Sequence, residues 1–169
     1  AVRDGLSLAA ALPVGPGPQA AVLYGGILLN RDTGMVDKIT EAVFHQETYA
    51  GRPLGTATIF LGDRRVATTV RDVAGERALG TQASADVSRR VLAEGRQWTD
   101  RAFVVGDWYV TAYAPIADVA GRRVGMLYVG VLEAKYADVR RRAVAVFAAI
   151  TLAGMLLAGL TGAFLAHRI

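Results

Sequence analysis

Residues 143–166, AVAVFAAITLAGMLLAGLTGAFLA, run for 24 positions without a charge, and no other stretch limits the fold as much. As a helix rising about 1.5 Å per residue the run is roughly 36 Å long, enough to cross a bilayer with some tilt. It is rich in Ala, Gly and Leu, as membrane helices often are. The alternative is a buried core helix, but a chain of 169 residues holds about one ordinary domain, too small to wrap such a helix on all sides. A membrane-spanning helix is the expectation. Polarity rises ahead of it through Glu133, Lys135 and Asp138, and nothing breaks a helix between Leu132 and His167. Arg140, Arg141 and Arg142 then mark the entry, and His167 and Arg168 the exit.

Upstream, residues 101–130 read RAFVVGDWYVTAYAPIADVAGRRVGMLYVG. Three β-branched and aromatic runs are separated by turn formers, first at Gly106-Asp107 and then across residues 118–121, which predicts three consecutive antiparallel strands. Alternation on the middle strand puts Tyr109, Thr111 and Tyr113 on one face and Trp108, Val110 and Ala112 on the other. The first face carries rings with hydroxyl tips, suited to a half-polar pocket or to core packing under a helix. Arg101 stands in an otherwise apolar strand, where a buried arginine needs an anion. It either meets a ligand or pairs with Asp100 or Asp107; a tight turn at Gly106-Asp107 points it to the face of Ala112, away from Tyr109 and Tyr113, and a longer loop changes that register.

The rest of the chain supplies the frame. Residues 1–31 form two apolar strands joined by Gly15-Pro16-Gly17-Pro18, a segment that cannot be helical. Residues 8–14 match 110–116, with Pro13 on Pro115, and residues 22–26 match 126–130, so one supersecondary unit is repeated. We expect this hairpin to close a preceding, similar domain; the other possibility is that it belongs to the one domain present. A connecting helix over residues 32–49 follows, with cap chemistry at residues 30–33 and Met35, Val36, Ile39 and Val43 at helical spacing. Its end, near His45, is expected to be a cap or solvated. Strands over 56–61 and 65–70 turn at Gly62-Asp63, and a polar loop over 71–83 leads to a short helix capped by Ser84 with Val87, Val91 and Leu92 inward. This order, two strands, loop and helix, then three strands, predicts an α+β, PAS-like five-stranded antiparallel sheet with its helices on one face.

Composition excludes several functions. With no cysteine there is neither a disulfide nor a thiolate, and the two histidines, His45 and His167, lie far apart, which argues against a metal site or a histidine triad. The net charge of +4 comes from arginines scattered among acids, not gathered into a nucleic-acid stripe. The Gly-rich pieces lack the lysine and spacing of a phosphate loop. No haem- or flavin-holding residue stands out, so no cofactor is expected and the chain is read as non-catalytic.

Residues 57–81, ATIFLGDRRVATTVRDVAGERALGT, followed by the tail P-I-x-D-x-x-G-x-x-x-G-x-L-x-V-G from Pro115 to Gly130, resemble an extracytoplasmic Cache domain of the single-Cache type. Such domains occur in bacterial sensor histidine kinases and chemoreceptors. The resemblance implies a sensor domain over about residues 50–136 and a transmembrane helix over 137–169 leading into a HAMP-type linker, begun by AHRI. It also implies a homodimer in the cytoplasmic membrane with the sensor outside. In related citrate and C4-dicarboxylate sensors, ligand carboxylates meet the second strand and the strand before the P-I turn. By position these places are Arg65 and Thr68, and Thr111 and Tyr113. Those sensors carry a histidine where this chain has Thr68 and an arginine where it has Thr111, so a smaller or less charged ligand is implied. Arg77, in the loop, is either a lid residue or solvated. The expected ligand set is thus Arg65, Thr68, Arg77, Arg101, Tyr109, Thr111 and Tyr113. The competing expectation is a membrane-anchored interaction module that binds no small molecule.

Overall fold

The computed structural model describes residues 5–15 and 21–167, and these fall into two compact units, one ending at Leu132 and one starting at Glu133. The tip of the first hairpin, residues 16–20, and the linker-like end, residues 168–169, lie outside the described residues.

In the first unit β1 (Ser7–Val14) and β2 (Ala21–Leu28) pair as a two-stranded sheet. Its register places Pro13 opposite Val22 and Ala11 opposite Tyr24, as Pro115 lies opposite Met126 and Tyr113 opposite Tyr128 in the strands it repeats. The duplicated sequence is therefore also duplicated geometry. Apolar side chains are exposed along both strands, among them Leu12, Leu23 and Tyr24. Helix α1 (Gly34–Phe44) follows. Thr33 makes no side-chain cap; instead Asp32 Oδ1 accepts from Gly34 N–H at 2.9 Å. His45 closes the helix in the left-handed region with its N–H on the Glu41 carbonyl. Its role is the backbone cap.

The main sheet follows a two-residue ribbon, β3 (Thr48–Tyr49) with β4 (Arg52–Pro53). It contains β5 (Gly55–Leu61), β6 (Arg64–Thr68), β7 (Trp98–Val104), β8 (Asp107–Ala117) and β9 (Arg123–Leu132) in the order β6-β5-β9-β8-β7, all antiparallel. Paired residues share a face. Phe60, Met126, Tyr128, Leu132, Tyr109 and Tyr113 form one buried cluster with Val87 and Val91 from the segment after Ser84. Ala57, Ile59, Val66 and Ala67 form another with Val36 and Leu29, on the side covered by α1. The expectation of helices on one face is thus corrected: the sheet is covered on both. The physical reason is legible in β5, which is buried along almost its whole length, with Ala57 and Ile59 on one side and Phe60 on the other, so each side must be screened from water.

Two local details also differ from expectation. The β7–β8 turn is Val105-Gly106, one residue earlier than the sequence suggested, with both residues at positive φ (44° and 95°). A tight two-residue hairpin turn requires that backbone. Ser84 caps α2 (Ala85–Ser88) as expected, accepting from Val87 N–H, but the segment then widens into a π-helical turn over Arg89–Ala93 before Gly95 ends it. The turn over 118–122 is held by one side chain. Asp118 Oδ1 accepts from the Ala120 and Arg122 N–H groups and Oδ2 from Arg122 Nε, while Gly121 takes φ 77°. The backbone hydrogen bond from Arg122 leads the interactions that hold the Asp118 carboxyl below the usual carboxylate range.

The second unit is α3 (Glu133–His167), one uninterrupted helix. It is long and apolar enough to cross a membrane, with mean hydropathy 2.3 over its most apolar window. Along the helix Thr151 and Thr161 return their hydroxyls to the Phe147 and Leu157 carbonyls at 2.9 Å, so neither leaves a free donor on the helix surface.

Candidate functional site

Arg65 is the least ordinary side chain in the sheet. It lies on the edge strand β6, opposite Phe60, and a bulge between Ile59 and Phe60 turns it onto the tyrosine face. The residue is only 6% exposed, yet among the described residues no acid pairs with it. Its Nη1 donates to Thr81 Oγ1, its guanidinium carbon lies 5.3 Å from the centre of the Phe60 ring, and its Nε is buried without a partner. Burial lowers its pKa; Tyr113 and Tyr128 oppose that shift.

A cavity of about 490 Å³ adjoins it, walled by Thr81, Ser84 and Val87 on one side and by Trp98, Val104 and Tyr113 on the other. Trp98 opposes Tyr113 in the β7–β8 register, and its indole N–H is also buried without an acceptor. Trp98 had no place among the sequence candidates. Alternation would have found it, since Trp98 and Tyr113 share a face whether the turn is at 105–106 or at 106–107.

The sequence candidates divide. Arg65, Arg101 and Tyr113 border this cavity. Arg101 is not buried as expected: it opposes Val110 on the other face of edge strand β7, is exposed, and lies over the Trp108 ring at 4.9 Å. Tyr109 faces a neighbouring cavity of about 320 Å³ beside Thr56 and Asp107, closed at one side by the Arg52–Asp107 ion pair. Thr68 is bonded to Thr58 through their hydroxyls at 2.6 Å, and Thr111 donates to the Asp100 carbonyl at 2.8 Å, so both hydroxyls are engaged within the sheet. Arg77 borders a third cavity; its Nη2 meets both Asp37 carboxylate oxygens at 2.9 Å and its Nη1 the Thr68 carbonyl at 2.7 Å, tying the 71–83 loop to α1.

The rings beneath the cavity are part of the core. Tyr113 and Tyr128 lie 4.8 Å apart, Tyr113 and Phe60 6.1 Å, and the Tyr128 hydroxyl bonds Thr56 Oγ1 at 3.1 Å. Burial raises the pKa of Tyr109, Tyr113 and Tyr128 above that of an ordinary phenol. Their neutral forms are therefore favoured by folding, so the stabilisation is complete below the unfolded value near 10 and is lost as pH rises towards the folded values. Urea midpoints should fall steeply above about pH 10, and less steeply in Tyr128→Phe. Equal slopes would contradict this.

The geometry, then, is a PAS-like sheet with a ring-floored, cation-bordered cavity under a loop-helix cover. The Single cache domain 3 family matches residues 27–143. The chain belongs to that family. Cache domains are extracellular sensing domains of signalling receptors that bind small molecules, and here the domain is joined to one apolar helix able to cross a membrane. The match takes in all five strands of the main sheet and leaves β1 and most of β2 outside it. Neither a curated protein nor a solved structure matches the chain. Among the described residues of this Cache protein, no group of three or more His, Cys, Asp or Glu could hold a metal ion.

Proposed function

We propose that the chain is the sensing region of a transmembrane receptor in a bacterial cytoplasmic membrane. Its Cache domain takes up a small polar or short carboxylate ligand outside the cytoplasm. The carrying observation is that β9, which floors the ligand face with Met126 and Tyr128, passes into α3 with no residue between Leu132 and Glu133. A ligand that favours one placement of β9 thereby favours one placement of the helix that follows, provided its affinity differs between the two states. The output is a cytoplasmic module of the histidine kinase or chemotaxis type, the receptor works as a homodimer, and the Cache domain binds its ligand without transforming it. The β1–β2 hairpin, in the register of β8–β9, is the closing hairpin of a second sheet of the same kind.

Thermal unfolding of the full chain in detergent, screened against carboxylates, amino acids and neutral metabolites, tests this. A true ligand at a hundredfold excess over its Kd adds about 2.7 kcal/mol and a saturable rise in Tm. A specific observation supports the other reading, a module that binds a protein partner: Phe103, Trp108 and Val110 are exposed side by side on the outer face of β7–β8. That reading gains if no compound shifts a cooperatively folded chain.

A further inference from the structure

We infer that the tip of the β7–β8 hairpin docks on lipid, with Phe103 and Trp108 entering the headgroup layer and Arg101 directed at lipid phosphate; this rests on the membrane span proposed above and on no particular ligand. Phe103 and Trp108 oppose each other one pair in from the Val105-Gly106 turn, with their rings 5.6 Å apart, edge to face. The Arg101 guanidinium lies over the Trp108 ring at 4.9 Å, and Val110 stands opposite Arg101 in the register. Phe103 is 61% and Trp108 49% exposed, and Val110 is exposed beside them. Two rings with a guanidinium suit the boundary of a bilayer, where aromatic side chains collect and arginine keeps its charge among the headgroups.

A protein partner would also find apolar surface here, but the position of the patch favours lipid. Tyr109 lies opposite Leu132, the last residue of β9, so the Phe103–Trp108 pair stands one row beyond the point where β9 ends. Residues 133–142 lead from there to the uncharged run, a length of about 15 Å as helix. Headgroups reach about 5–7 Å outward from the hydrocarbon, which leaves this end of the sheet at most about 10 Å to cover. The turn at 118–121 is the length of β8 away, roughly 30 Å. Val73, its side chain wholly in solvent, borders the same small cavity as Gly106 and Asp107 and adds an apolar contact at this end. The acids beside the patch are engaged: Asp107 pairs with Arg52, and Asp100 Oδ1 accepts from the Arg101 N–H at 2.7 Å. A strand added alongside β7 would therefore meet a donor already taken.

The test reconstitutes the full chain in vesicles of phosphatidylcholine and phosphatidylglycerol, with acyl chains brominated near the headgroup or left unbrominated. Both tryptophans belong to the sheet unit and α3 has none, so bromine quenching reports contact between that unit and lipid. Trp98 stands at the end of the β7–β8 register farthest from the turn, with its indole N–H buried, and should be unquenched. Trp108 should be quenched, with a loss of roughly half the total emission. Trp108→Phe should remove the quenching, and Phe103→Ser, which leaves both tryptophans, should reduce it at least about twofold. Val119→Trp in the Trp108→Phe background places a reporter at the opposite end of β8–β9 and should be unquenched. Urea midpoints are measured first, so that only folded variants are compared. Absence of quenching in a chain that floats with the vesicles overturns the inference and leaves the membrane span standing; a concentration-dependent blue shift of Trp108 then assigns the patch to a protein partner. Equal quenching in the Val119→Trp variant also overturns it. If the chain does not float with the vesicles, both the span and the docking surface fall.

Discussion

Phe60→Ala should lower the stability of the sheet unit by about 3–5 kcal/mol. Phe60 has no exposed surface and sits on the interior strand β5, against Tyr113 on one side and under the Arg65 guanidinium on the other. Its neighbours Tyr113, Met126 and Tyr128 are fixed to other strands by the sheet register, so they cannot move in to fill the space. The cavity term is therefore added to the lost transfer free energy. The substitution also removes the ring beneath a buried cation, and ligand response should fall along with stability. The chain's two tryptophans, Trp98 and Trp108, both lie in this unit, so urea denaturation followed by fluorescence reports it alone. A loss below about 1 kcal/mol would show that the site collapses easily, contrary to the packing described.

Gly125→Ala should have a comparable effect for a different reason. Gly125 lies between Leu61 on β5 and Ile116 on β8, and a Cβ built there overlaps the carbonyl oxygen of Phe60. That oxygen is backbone and has no rotamer to escape into. Relief requires β5 and β9 to separate beside the Gly62 N–H to Val124 carbonyl bond of 2.8 Å, which closes this end of the pair. The cost should reach or pass the upper end of the roughly 1–3 kcal/mol typical of overpacking. Gly154→Ala, where nothing lies near the added methyl, is the control and should leave the urea midpoint unchanged. Equal midpoints for the two variants would sink the close-approach argument.

How far these features could be read beforehand differs from one to another. The meander, the succession of elements along the chain and the apolar helix were legible because each is written in a local pattern: alternation bounded by turn formers, or a long absence of charge. The two-sided cover was written in β5 as well, since a strand with Ala57 and Ile59 on one face and Phe60 on the other needs two roofs. The turn at Val105-Gly106 was not legible, because a β-branched residue at positive φ runs against local preference and is imposed by the pairing on either side. Arg101 looked buried because its neighbours in sequence are apolar, yet a tight two-residue turn already implied the face of Ala112, away from Tyr109 and Tyr113, and the register puts it there, on the open face of an edge strand. The engagement of Thr68 and Thr111 depends on partners ten and eleven residues away, which alternation alone does not pair.

The junction of β9 and α3 has one more consequence. A strand alternates its side chains with a period of two, whereas a helix advances about 100° per residue, and here the first period gives way to the second between Leu132 and Glu133 without a spacer. Within α3 the azimuth of every side chain is counted from Glu133 onward. One residue inserted inside the helix turns everything after it by about 100° relative to the turns before it, whereas seven bring it back to within about 20° of its starting phase. Along this helix length is angle, and the faces its apolar residues present are set by an integer count.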